Sequence, residues 1–172
     1  MTLGFLVSLV LSEWVIMQLR EFVESIKRAT DDIARSLPPD GDWEPMVFII
    51  KDDHVTMAHF DMPESFLRDW WFGSVIPSAI KKVEPNPDAV LILVSSWMRF
   101  LKEGEDPENP DVMPSQDPER EECLVLSGVS PDEEIVLMGK IIRSENHPEL
   151  EWDEPGNAEG RIQSALRRAV WD

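Results

Sequence analysis

The pattern of apolar and polar positions divides the chain into alternating helical and strand-like runs. From Ser12, a plausible N-cap followed by Glu13, the residues Val15, Leu19, Phe22, Ile26, Ala29 and Ile33 recur at alternating four- and three-residue steps, and Leu37 prolongs the stripe. The pattern predicts a helix that Pro38-Pro39 terminates. Its apolar stripe is too short for a coiled coil and suits packing on a sheet. Residues 46–51 (MVFIIK) and 54–60 (HVTMAHF) read as two strands joined by a tight Asp52-Asp53 turn. Asp61-x-x-Glu64 has the form of a capping box, with Pro63 in the first turn of a second helix.

Within that second helix the stretch FLRDWWFGSVIPSAIKKV presents a conflict. At 100° per residue, Phe66, Trp70 and Trp71 point one way, while Val75, Ile76, Ala79, Ile80 and Val83 point nearly the opposite way. One straight helix cannot bury both sets on one sheet. A kink or two short helices is expected between Gly73 and Pro77, with Phe72 at the junction. The face bearing Phe66, Trp70 and Trp71 then needs another cover: the N-terminal helix or a terminal segment of the chain, a second copy, a partner or a ligand.

Residues 89–98 (AVLILVSSWM) read as a central strand covered on both faces at its start. Residues 123–129 and 135–143 form a second hairpin about Ser130-Pro131-Asp132-Glu133, whose Pro and Asp suit a type I turn. Arg161 to Trp171 is a compact terminal helix with Ile162, Ala165, Leu166, Ala169 and Val170 on one face. These elements predict a single α+β domain over residues 1–172, with about five mostly antiparallel strands and packed helices in the order α-β-β-α-β-β-β-α. That order, over residues 12–171, resembles roadblock/longin and profilin-like domains; it rests on no motif, and such folds host scaffolds, chaperones and sensors alike.

Residues 1–11 are read as an N-terminal extension that forms a buried strand or lengthens the helix, with Met17 an alternative start of the natural chain. No Lys or Arg precedes Arg20, and the apolar run from Leu3 to Leu19 is short for a membrane span and contains Glu13.

Charge changes the picture of the loops. The net charge is −18, and two segments hold most of it: Lys102 to Glu122 carries −7 and Ser144 to Gly160 carries −6. These are expected as acidic loops, residues 102–120 (rich in Pro) and residues 144–160. A chain this acidic is unsuited to binding nucleic acid through phosphates, and a protein partner, basic in character, is the better expectation.

Candidate chemistry is sparse. The eight glycines are too scattered for a phosphate-binding or dinucleotide loop, and neither GxSxG nor HExxH occurs. Cys123, the sole cysteine, excludes an intramolecular disulfide and a Cys-rich metal site, and Glu121 and Glu122 beside it oppose thiolate formation. The reducing interior this fits makes a cytoplasmic location the expectation. His54 and His59 are five apart and face opposite sides of a regular strand. His59 with Asp61 is a weak candidate for an oriented general base, set against Asp61 acting as a helix cap. No cofactor or specific metal is expected.

Seven tryptophans with no tyrosine favour a binding role. The leading expectation is a small acidic non-enzymatic interaction protein: adaptor, assembly factor or inhibitor. A sensor or enzyme with a Trp-lined pocket is the alternative, followed by an inhibitor of phage or mobile-element type that imitates nucleic acid. The candidate surface is Phe66, Trp70 and Trp71.

Overall fold

A computed structural model describes residues 7–10, 19–52, 54–64, 67, 70–99, 104, 106, 116–153 and 161–172, with backbone alone for 7–10 and 161–164. It is an α+β structure with one antiparallel sheet. The strands are β1 (Val7–Val10), β2 (Met46–Lys51), β3 (His54–His59), β4 (Ala89–Met98), β5 (Glu121–Val129), β6 (Glu134–Arg143) and β7 (Pro148–Asp153), in the spatial order β1-β3-β2-β4-β5-β6-β7. The expected order of elements lies inside the observed one, with a strand added at each end of the sheet. β1, from the N-terminal extension, pairs with β3.

The other addition, β7, falls within the segment expected as an acidic loop. Its sequence PELEWD alternates: Leu150 and Trp152 are half-buried, while Glu149, Glu151 and Asp153 are exposed. That period of two is the strand signal, and the acids along it disguise it as loop.

Side-chain alternation divides the sheet's two faces between two cores. On one face α1 (Leu19–Ala34) lies over β5, β6 and β7, and its Leu19, Phe22 and Val23 join Phe48, Leu91, Leu93, Leu124, Leu126 and Leu137. The opposite core combines Val47, Ile49, Val90 and Ile92 with Phe72, Ile76 and Ile80, and with Leu166 and Val170 of α3 (Arg161–Trp171). β4 serves both, which is why Ala89 to Val94 are all buried.

The buried stripe of α1 differs from the heptad-like one in the sequence. Leu19, Val23, Thr30 and Ala34 are buried and Ile26 packs against them, whereas Ile33 is 42% exposed and Ala29 is exposed. A straight α-helix drifts about 20° per heptad, so a strict 3.5-residue repeat rotates off the contact face by the last turn. Thr30 takes the inward place because its Oγ1 donates to the Ile26 carbonyl at 2.7 Å. Gly128 of β5 lets α1 approach closely: a Cβ there would lie 2.9 Å from Val23 Cγ2.

The β2–β3 turn is held from a distance. Asp52 has φ 51°, which an aspartate tolerates. Its N–H donates to Asp88 Oδ2 at 2.7 Å, and Lys51 Nζ donates to Asp88 Oδ1 at 2.9 Å. Near the end of β7 the indole N–H of Trp152 donates to Asp31 of α1 at 2.8 Å.

Candidate functional site

The tryptophan pair spans the junction between α-helical Trp70 and a π-helical turn. Residues 61–64 are irregular rather than the first helical turn expected from the capping box, and Leu67 N–H donates to the Glu64 carbonyl at 2.9 Å. Trp70 is already in right-handed helical conformation, and the π-helical turn Trp71–Val75 that follows passes directly into α2 (Ile76–Val83), with Val75 and Ile76 both in right-handed helical conformation. There is no break between Gly73 and Pro77. The Ile76 N–H reaches five residues back to the Trp71 carbonyl, and this wide turn inserts one extra residue. Pro77, which has no N–H to donate, follows in the first turn of α2.

The wide turn changes where the side chains go. Phe72 is 1% exposed and shares its core with Ile76 and Ile80, and Trp71 packs against the same core. The expectation that Trp71 faces away from Ile76 and Ile80 is therefore corrected, because it assumed 100° per residue through a turn that is not α-helical. α3 packs on both the π-helical turn and α2, with Trp171 bonding the Pro87 carbonyl through its indole N–H at 3.0 Å. Phe60 meets Phe72 edge-on at 6.2 Å between ring centroids.

Trp70 behaves differently. It is 57% exposed and lies edge-on to Trp71, with ring centroids 6.3 Å apart and planes at 65°. Leu67 is also exposed at 37%. The third residue of the expected surface, Phe66, lies outside the described residues. The Trp71 indole N–H is buried and has no hydrogen-bond partner among the described residues. Burying a donor without an acceptor costs about 1–3 kcal/mol, so this nitrogen is an unusual feature of the cluster.

The other candidates are placed as follows. His59 Nδ1 lies 3.0 Å from Glu44 Oε2, and both side chains are substantially exposed. Asp61 is exposed, and no contact between it and His59 occurs among the described residues. Surface ion pairs of this kind contribute little to stability. Cys123 is buried, and its thiol donates to the Ser96 carbonyl at 3.5 Å. Burial, and then the charges of Glu122 and Glu121, push its pKa up to about 11. The described residues contain no group of three or more side chains able to hold a metal ion.

Most of the acidic segment expected over residues 102–120 lies outside the described residues, and the acids just beyond it are ion-paired. Glu121 and Glu122 lie on β5, where Lys140 donates to Glu121 at 2.5 Å and Arg143 Nε donates to Glu122 at 2.9 Å. Arg143 also reaches the Gly41 carbonyl, tying the α1–β2 connection to the sheet. At the base of the Pro-rich loop, Arg99 and Asp117 form a buried ion pair at 3.6 Å, and Arg120 stacks 4.4 Å above the Trp97 ring. Sequence reasoning missed these contacts because each joins residues on different strands or loops.

No helix among the described residues is long and apolar enough to cross a membrane. Comparison of the chain with known protein families, curated proteins and solved structures returned no match.

Proposed function

We propose that this protein is a small acidic interaction protein without catalytic function, acting as an adaptor, assembly factor or inhibitor through the surface around Trp70. The observation that carries this reading is the exposed Trp70 ring set against the anchored Trp71 ring. A large aromatic side chain on a rigid base loses little freedom on binding and buries a large apolar area, which is how binding hot spots work. The site residues are Trp70 and Trp71, with Phe66 adjoining in sequence. The partner is a protein, basic in character given the charge of −18.

The test is affinity capture from native lysate with the wild-type chain and Trp70→Ala. A partner retained by wild type and lost by the variant supports the reading. Repeated capture of nothing, or of the same proteins by both, counts against it.

A second reading, a sensor or enzyme with a Trp-lined pocket, is favoured by the buried Trp71 indole N–H, which has no partner among the described residues. A ligand acceptor reaching that nitrogen would alter indole emission, so a metabolite screen by tryptophan fluorescence separates the two. Imitation of nucleic acid is the third reading, supported by carboxylates held on β5 and β7 rather than on loops. It requires salt-sensitive inhibition of a DNA-binding protein.

A further inference from the structure

β7 ends the sheet on one side. Among the described residues it pairs with β6 alone, and no hydrogen bond reaches the outer side of residues 149–153. A strand with an unpaired backbone row is a template for another extended segment. This edge is also held in position. Trp152 is anchored to Asp31 at 2.8 Å, and its ring lies over Gly139, where a Cβ would come within 3.1 Å.

The side chains of β7 select among occupants. Glu149, Glu151 and Asp153 lie opposite Ile142, Lys140 and Met138 on one face, and all three acids are exposed. Neither Glu149 nor Asp153 forms an ion pair with a described residue. On the other face Leu150 and Trp152 are half-buried against the α1 core. A second copy of the chain in antiparallel pairing would set acid opposite acid and be repelled.

We infer that the β7 edge accepts an extended segment of a protein partner that alternates basic and apolar residues. Its Lys or Arg side chains lie beside Glu149, Glu151 and Asp153, and its apolar side chains extend the surface of Leu150 and Trp152. Backbone pairing supplies the alignment, and charge supplies the selectivity. This rests on the interaction reading above and adds a second surface to it.

The experiment is amide NMR of the full chain titrated with the peptide Lys-Val-Lys-Thr-Lys-Val-Lys, its Glu-for-Lys counterpart, and a block isomer, Lys-Lys-Lys-Lys-Val-Thr-Val. The expected result is binding of the alternating basic peptide, with slowed exchange of β7 amides. Removing charge with Glu149→Gln and Asp153→Asn together should weaken it about tenfold, as should raised salt. Equal binding of the block isomer overturns the inference, because charge alone then explains the affinity. So does absence of binding, or binding with shifts around Trp70 and none on β7. None of these outcomes touches the Trp70→Ala capture result, so the interaction reading stands or falls separately.

Discussion

The indole N–H of Trp152 on the edge strand β7 donates to Asp31 on α1 across 2.8 Å, joining residues 121 positions apart. This bond fixes the last strand to the helix that covers it. Trp152→Phe keeps an aromatic ring but loses the bond and part of the packing, so it should cost at least about 1 kcal/mol in urea unfolding and speed amide exchange along β7. Unchanged exchange would show that ring packing alone holds the strand.

Gly128 allows α1 to settle on β5. Gly128→Val places new atoms against Val23 and Leu19 and should destabilise by about 1–3 kcal/mol. Combining Gly128→Ala with Val23→Ala should cost less than the sum of the single changes, since the second relieves the first. Strict additivity would refute direct contact.

Asp88 holds the β2–β3 turn. Burial alone raises its pKa, but the Asp52 N–H and Lys51 ammonium outweigh it and hold the carboxyl below its ordinary value of 3.8. A depressed folded-state pKa means stability present above the unfolded value and lost as pH falls through the folded one. Asp88→Asn should therefore cost about 0.5–1 kcal/mol near neutral pH, and the difference from wild type should vanish in strong acid. A difference independent of pH would exclude the carboxylate as its source.

The Cys123 thiol should resist a disulfide reagent in the native protein at pH 8 and react once the chain unfolds. Its raised folded-state pKa, about 11 against 9.0, means that its contribution to stability is full below pH 9 and declines as pH rises toward 11. Cys123→Ser provides the reference for that alkaline slope. Rapid native labelling would contradict the burial.

The adjacent tryptophans should separate cleanly in stability measurements. Trp70→Ala should change unfolding free energy by roughly 0.5 kcal/mol or less, because the side chain is exposed. Trp71→Ala should cost on the order of 2–3 kcal/mol through lost packing with the core beneath α2 and α3. Equal costs would show that Trp70 is covered in solution.

Much of the architecture was legible along the chain because it depends on local chemistry. The apolar run from Ala89 to Val94, the Asp52-Asp53 turn, the Ser130–Glu133 turn and the terminal helix all announce themselves through period, turn residues and charge. β7 was hidden because acids at its exposed alternate positions resemble a solvated loop. Ile33 was misplaced because a 3.5-residue repeat and a 3.6-residue helix part company after two heptads.

For the candidate site, the sequence by itself determined that two bulky indoles, Trp70 and Trp71, stand next to each other just before Gly73. Which indole packs on the core was decided by the tertiary structure. A π-helical turn costs regular hydrogen bonding and persists where packing compensates, and here Phe72, Ile76 and Ile80 under α3 supply that packing. The extra residue in the turn brings Trp71 onto the core and leaves Trp70 outside. A local periodicity rule assigns faces from a fixed angle per residue, so it cannot foresee a turn whose angle is set by the elements packed against it.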